Sequence, residues 1–281
     1  MDIKQAVVKA VKILNENNIE DSVNIARIVM AYTLNKPKEY LIINDKQILD
    51  SKLLEVYNAY IDRIKDGYPL QYITKNQEFM KLNFYVDDNV LIPQPDTEIL
   101  VEKVIEICKT EYEGQTIKVL DLCTGSGAIA ISIKKYVDNA EVLATDISRN
   151  ALKITEKNAR LNNVEIELIE SDMFKDISGK YDIILSNPPY IEKGILESLP
   201  KDVQHEPMLA LDGGMDGLDF YREISKNAHK YLKGDGYLAI EIGYNQKDSV
   251  IGILKNEQKY KDIECIKDLS YNDRVITSRL K

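Results

Sequence analysis

IKVLDLCTGSGAIAISIKKYV, residues 117–137, decides the fold. The opening IKVLDL is a short apolar run of the length of a buried strand, and GAIAISIKKYV, residues 127–137, reads as a helix. Gly125 and Gly127 stand between them, where a backbone must turn tightly and can approach a ligand closely. The helix behind them aims free N–H groups and the positive end of its dipole at the same place. Strand, glycine turn and helix in this order open an α/β sheet.

The alternation continues outward. EVLAT (141–145), IELIE (166–170), YDIILS (181–186) and YLAIEIG (237–243) are further apolar runs, separated by helical stretches such as SRNALKITEKNARLN (148–162) and DGLDFYREISKNAHKYL (216–232). A mainly parallel sheet covered by helices on both faces follows. KYKDIECIKDLS (259–270) and DRVITSRL (273–280) are separated only by a short turn and must form an antiparallel hairpin at the sheet's end. The fold class expected is α/β, a doubly wound Rossmann-like sheet with an antiparallel C-terminal hairpin, joined to a small N-terminal helical domain.

That helical domain is read from periodicity. Ile3, Ala6, Val7, Ala10, Val11 and Leu14 share one helical face. A second helix is expected from a cap at Asp21 or Ser22 to about Leu34, and further segments over 37–44 and 51–66 end at Gly67 and Pro69. FMKLNFYVDDNVLI (79–92) alternates apolar and polar residues about Asp87-Asp88-Asn89, the pattern of a β-hairpin. Two prolines hold IPQPDTE (92–98) extended, and Asp96 or Thr97 can cap the helix EILVEKVIEICK. The division expected is a helical bundle over 1–78, a hairpin and linker over 79–95, and the sheet domain over 96–281.

Asp146 stands at the end of EVLAT, placed to accept hydrogen bonds from ribose hydroxyls, so with the glycine turn it makes a nucleoside site. Gly125-Ser126-Gly127-Ala128-Ile129-Ala130 also satisfies the dinucleotide fingerprint, which makes a dehydrogenase the first competitor. Two features favour S-adenosylmethionine (SAM). Asp121, just ahead of the turn, can meet a ligand ammonium directly or through water, and SDMF (171–174) supplies Asp172 for an adenine amino group and Met173 to pack on its ring. SNPPY (186–190) then closes the fourth strand beside the nucleoside. Pro188 and Pro189 present carbonyls but no N–H, and Asn187 can turn its own oxygen the same way. An acceptor-rich site suits a substrate –NH2, with Tyr190 packing on the planar group that bears it.

GYPLQYIT, FYVDDNVLIPQPDTE, DLCTGSGAIAI, SNPPYI, EPMLALDGGMDGLDFYREI and NDRVITSRL, in this order, resemble the peptide chain release factor glutamine N5-methyltransferases (PrmC/HemK family). The resemblance implies that Cys123, Thr124, Gly125, Ser126, Gly127, Asp146, Met173 and Asn187 line the SAM site. It implies that Asn187, Pro188, Pro189 and Tyr190 hold the glutamine of a release factor's Gly-Gly-Gln loop, with the N-terminal helices docking that protein. Cys123 stands where the family has glycine and Gln94 where it has arginine. Methylation of a ribosomal-protein glutamine is the close variant. Adenine methylation of DNA or RNA is the rival from another class, since NPPY is shared with adenine methyltransferases.

Composition weighs on that rivalry. Net charge is −9, and residues 1–85 carry 12 Lys/Arg against 11 Asp/Glu, so the acidic excess lies in the rest of the chain. Such a surface repels a phosphate backbone, which disfavours a nucleic-acid substrate. No apolar run reaches a membrane span, and the three cysteines have neither disulfide nor metal spacing. A soluble, cytoplasmic, monomeric protein without a metal is expected. The two histidines, His205 and His229, read as structural or exposed.

Overall fold

The computed structural model describes residues 1–281, which divide into two compact units: Met1–Lys75 with Leu199–His205, and Asn76–Ser198 with Glu206–Lys281. Leu199–His205 therefore belongs with the helices, although it lies within the stretch 96–281.

The first unit contains α1 (Ile3–Glu16), α2 (Ser22–Leu34), α3 (Lys38–Ile43), α4 (Ser51–Lys65) and the short α5 (Leu70–Thr74), which the sequence reading passes over at Pro69. A capping box starts α1: Asp2 Oδ1 accepts the Gln5 N–H at 2.7 Å and Gln5 Oε1 accepts the Asp2 N–H at 3.2 Å. Ile3, Ala6, Ala10 and Leu14 of the expected face are buried. The cap expected for α2 is not made. Asp21 is in the left-handed region at φ +51° with no capping bond, and the Ser22 hydroxyl donates instead to Asn15 Oδ1 at 2.7 Å. A Cβ on Gly67, itself at φ +98°, would lie 2.5 Å from Lys201 Cβ, so glycine is required there.

In the second unit β1 (Gln77–Phe79) and β2 (Leu82–Phe84) form the hairpin, and it turns at Met80-Lys81 rather than at Asp87-Asp88-Asn89. Both turn residues are left-handed, at φ +50° and +59°, the geometry of a two-residue hairpin loop. Asp87 Oδ1 does accept the Asn89 N–H at 3.0 Å, but no strand follows. Val90 and Ile92 are buried, and the Ile92 N–H donates to Glu206 Oε2 at 2.9 Å. A 3-10 turn, Pro95–Thr97, leads into α6 (Glu98–Glu111), which has no side-chain cap. Asp96 and Thr97 are engaged elsewhere, as described below.

The sheet is built from β3 (Ile117–Leu122), β4 (Ala140–Asp146), β5 (Glu167–Glu170), β6 (Tyr181–Ser186), β7 (Leu232–Glu241), β8 (Tyr260–Lys267) and β9 (Asp273–Leu280) in the order β5-β4-β3-β6-β7-β9-β8. The first five are parallel; β9 is antiparallel to both β7 and β8. The expected C-terminal hairpin is present, with β9 inserted inside the sheet and β8 at its edge. Between the strands come α7 (Ala128–Tyr136), α8 (Arg149–Leu161), α9 (Lys201–Gln204, in the helical unit), α10 (Asp219–Asn227) and α11 (Lys247–Asn256). The helix expected to reach residue 232 stops sooner, tightening to a 3-10 turn over Ala228–Lys230, and β7 already begins at Leu232.

Two apolar layers cover the sheet. Leu100, Val104, Ile131 and Ala159 of α6, α7 and α8 pack on one face; Tyr221, Ile224, Val250 and Leu254 of α10 and α11 pack on the other. Each leucine, isoleucine or valine among them contributes about 1.5–3 kcal/mol. The chain winds one way from β3 through β4 to β5 and the other way from β6 to β7, so a crevice opens between the carboxyl ends of β3 and β6.

Candidate active site

A crevice of about 280 Å³ lies at that switch point, within the second unit. Cys123–Ser126 after β3, Asp146–Ser148 at the end of β4, Ser171–Met173 after β5, and Asn187 and Pro189 after β6 all line it. Leu91, Gln94, Thr97, Leu209 and Phe220 are among the residues that add to the wall.

The glycine turn is held from behind. Asp146 Oδ2 accepts the Gly125 N–H at 2.9 Å and its Oδ1 accepts the Ser148 N–H at 2.8 Å, so one carboxylate ties the turn to the start of α8. Asn158 of α8 donates to the Ser126 carbonyl at 2.8 Å, and Thr155 donates to the Gly125 carbonyl at 2.9 Å. Gly127, at φ +80°, would place a Cβ 2.6 Å from Thr155 Cγ2, whereas a Cβ on Gly125, at φ +57°, meets no protein atom. Gly127 is required for packing; Gly125 turns its bare face outward, where a ligand can approach. Cys123 adopts φ +59°, a conformation that costs a side-chain-bearing residue about 1–2 kcal/mol. Its Sγ rests 3.8 Å from Met173 Sδ, and Met173 is left-handed too, at φ +52°. Burial pushes the Cys123 thiol well up, which keeps it protonated.

Asp121 is fully buried beneath this turn. Its Oδ2 accepts the Thr124 hydroxyl at 2.6 Å and its Oδ1 has no hydrogen-bond partner. Burial pushes its carboxyl up to about 7, with the Thr124 hydroxyl drawing it back. Burial also raises Asp146, against the pull of the Ser148 and Gly125 N–H groups.

β6 ends at Ser186, whose hydroxyl donates to the Leu122 carbonyl at 2.8 Å and ties the ends of β6 and β3 together. Asn187 follows, and its Nδ2 donates to Thr97 Oγ1 at 3.2 Å. One Nδ2 hydrogen is committed there, so the Asn187 amide is held by its nitrogen end where the residue lines the crevice. Tyr190 turns inward: its ring packs against the apolar layer, its hydroxyl lies 3.5 Å from Glu241 Oε1, and its carbonyl accepts Gln246 Nε2 at 2.9 Å.

Of the residues expected at the site, Cys123, Thr124, Gly125, Ser126, Asp146, Asp172, Met173, Asn187 and Pro189 line the crevice. Asp121, Gly127, Pro188 and Tyr190 do not line it, although each is within two residues of one that does. Asp172 is in part committed to an exposed ion pair with Lys175. Thr97, Leu209, Phe220 and the supporting Glu241 and Gln246 escape sequence reasoning, because no local spacing marks them. Neither histidine lines the crevice: His205 packs edge-on against Tyr68 at 5.3 Å, and His229 lies in the turn before β7 with a buried, unpartnered Nδ1.

This wall fits SAM. The open face of Gly125 and the Asp146 carboxylate meet the needs of a ribose, and Ile129, Ile147 and Met173 offer apolar surface to a flat ring. Asp88, Asp146 and Asp172 give the crevice an acidic rim suited to a cation such as an ammonium or sulfonium.

Residues 95–202 match the Methyltransferase small domain family, and residues 5–74 match the PrmC N-terminal domain family. A release factor glutamine methyltransferase of Clostridium acetobutylicum is 42% identical, with 98% of each chain covered. A protein of the same name from Clostridium botulinum is 37% identical, with 99% of each covered. Among solved structures, a methyltransferase from Pyrococcus furiosus superposes with a TM-score of 0.53 at 18% identity, over 78% of this chain and 96% of that one. A T. thermophilus 16S rRNA methyltransferase in complex with AdoMet and guanosine also gives 0.53 at 18% identity, over 73% and 50%. At that identity the structures speak for the fold alone.

Proposed function

We infer the function from one premise: the chain belongs to the family of release factor glutamine methyltransferases. It transfers a methyl group from SAM to the side-chain amide nitrogen of a glutamine on a peptide chain release factor. The observation that supports this most directly is the bond from Asn187 Nδ2 to Thr97, which leaves an amide oxygen to face a substrate –NH2. The target within the release factor is the glutamine of its Gly-Gly-Gln loop.

A glutamine amide nitrogen is a weak nucleophile because its lone pair is delocalised into the carbonyl, the resonance that gives a peptide bond its ~18–20 kcal/mol rotation barrier. When bound, SAM supplies an electrophilic methyl group on a sulfonium. Asn187 Oδ1 and the Pro188 carbonyl accept the two amide hydrogens and localise the lone pair on nitrogen. Neither Pro188 nor Pro189 carries an N–H that could compete. Positive charge grows on that nitrogen during transfer, and the same two oxygens stabilise it, an interaction stronger in the transition state than before it. Holding both reactants in one crevice contributes ~7–11 kcal/mol where the geometry is near attack. The released proton leaves to water. Asp146 and the Cys123–Gly127 turn hold the nucleoside, with Asp172 and Met173 at the adenine and Asp121 acting through Thr124.

We assign docking of the release factor to the helical unit. Its α3 presents Ile42 and Ile43 with 74% and 80% of their surface exposed, and Ile48 follows at 70%. Apolar side chains so exposed and so close in sequence suit a protein partner.

The deciding experiment offers labelled SAM and the full-length chain a release factor, a ribosomal protein and DNA side by side. Label in the release factor is expected. Label in DNA alone overturns the assignment.

A further inference from the structure

Glu241 ends β7 with 2% of its surface exposed, and its Oε2 has no hydrogen-bond partner. Leaving an oxygen of a buried carboxylate unsatisfied is costly, because the charged form is taken out of water without full compensation. Its position is informative. Ser186 pairs with Ile240 in the β6–β7 register, so one step further along Glu241 comes level with Asn187. Its Oε1 lies 3.5 Å from the Tyr190 hydroxyl, and the Thr97 hydroxyl that accepts from Asn187 faces the same carboxylate.

The titratable and charged groups facing it are Tyr190 after β6, Arg274 of β9, Asp96 of the turn before α6 and Tyr221 of α10. Arg274 is anchored, 3.0 Å from Asp96 Oδ2 and 3.1 Å from Asp268 Oδ2. Burial keeps the Tyr190 and Tyr221 phenols above their usual range, so both remain protonated near neutrality.

We propose that Glu241 is a positioning residue for methyl transfer: as a carboxylate it takes the Thr97 and Tyr190 hydroxyl protons, fixes Thr97 as acceptor toward Asn187 Nδ2, and so keeps Asn187 Oδ1 facing the substrate amide. A hydroxyl has one proton to give. With that proton directed at Glu241, only the oxygen of Thr97 is left for Asn187, which must answer with its –NH2. A protonated Glu241 can itself donate to Thr97 and free the Thr97 proton for Asn187. The Asn187 amide is then best satisfied turned over, with Nδ2 toward the crevice, and a substrate –NH2 would meet donor against donor. Burial pushes the Glu241 carboxyl up to about 7, with the Thr97 hydroxyl and Arg274 drawing it back, so this choice falls in the working pH range.

The inference rests on the glutamine methylation proposed above, and the test separates the two. Single-turnover methyl transfer to a release factor is measured against pH for the full-length wild type and for Glu241→Gln, with SAM affinity measured alongside. The wild-type rate should rise through about pH 7. Glu241→Gln should lose on the order of 10²-fold in kcat, as a misaligned group does, keep its SAM affinity, and lose the acid limb. Loss of the limb assigns it to Glu241 rather than to Asp121, which titrates in the same range. A Glu241→Gln chain with a wild-type rate, or one that keeps the acid limb, overturns the inference while leaving the methylation intact. A wild type that labels no release factor overturns the methylation itself and the inference with it. Should Glu241→Gln not fold, the pair Thr97→Val and Thr97→Ser serves: Val should lose rate and acid limb and Ser should restore both. A Thr97→Val chain with the wild-type rate and limb overturns the inference.

Discussion

Asn187 Nδ2 donates to Thr97 Oγ1 across 3.2 Å, joining the loop after β6 to a turn 90 residues earlier in the chain. That bond decides which end of the amide meets the substrate. Asn187→Ala removes the acceptor, and kcat should fall on the order of 10²–10³-fold, as when an oxyanion-hole donor is removed. SAM affinity, measured by calorimetry, should change only a few-fold. Near-normal turnover would remove Asn187 from the mechanism.

Asp146 serves the turn and the ligand together. Asp146→Ala deletes two carboxylate-accepted backbone bonds, each contributing about 1.5–3 kcal/mol. The melting temperature should drop, and the Kd for SAM should rise by well over tenfold. Asp146→Asn retains one acceptor and should fall between the two. Equal SAM affinity in all three chains would deny Asp146 a part in binding.

Cys123 stands where a left-handed residue is needed. Cys123→Gly relieves about 1–2 kcal/mol of backbone strain and adds about 0.5–1 kcal/mol of unfolded-chain freedom. The net effect expected is neutral to stabilising by about 1 kcal/mol in a denaturant titration. Cys123→Val brings a branched side chain to the same conformation and should destabilise. If the order is reversed, contact of the thiol with Met173 outweighs the strain.

Two buried carboxyls make stability fall with rising pH. Asp121 and Glu241 rise from 3.8 and 4.5 to about 7 on folding, so between those values the folded chain holds protons that the unfolded chain has released. Stability then declines as pH climbs through that window. Asp146, also raised, acts in the same direction. His229, lowered from 6.5 by burial, opposes it just below that value, and the lowered carboxyls Asp216, Asp235, Asp268 and Asp273 act only below about 4, near the carboxylate reference range. The melting temperature should decrease from about pH 5 to about pH 8, and Asp121→Asn should flatten the slope. A rising profile over that range would contradict the assignment.

Ile42 and Ile43 test docking without touching the crevice. Replacing both with serine should leave folding and SAM affinity unchanged, since exposed positions rarely disturb stability. Each isoleucine buried against a partner contributes about 1.5–3 kcal/mol, so the KM for release factor should rise at least tenfold. An unchanged KM would place docking elsewhere.

The strand, turn and helix about Gly125, and Asp146 at the end of β4, were legible because their signals are local and periodic. SNPPY could be placed because proline ends pairing wherever it falls in a central strand. The hairpin was misplaced because Met80-Lys81 has none of the usual turn chemistry, while Asp87-Asp88-Asn89 has it and spends it on a local turn. Thr97 read as a helix cap, since nothing near it in the chain reveals Asn187 as its partner. Glu241 looked like one more polar residue in an apolar run. Contacts set by sheet register, such as that which brings Glu241 level with Asn187, have no signature within a window of a few residues.

β9 lies between β7 and β8 and brings Arg274 to Asp96 and Asp268. During synthesis both of its neighbours leave the ribosome before it does, so until it arrives β7 has an unpaired edge facing a gap, and β8, which pairs with β9 alone, has no partner. A strand from a second chain could enter that gap, which makes it the place where crowded translation would produce aggregates or swapped dimers. Closing it is also what seats Arg274 beside Glu241. Completion of the sheet and assembly of the support behind Asn187 are therefore a single late event.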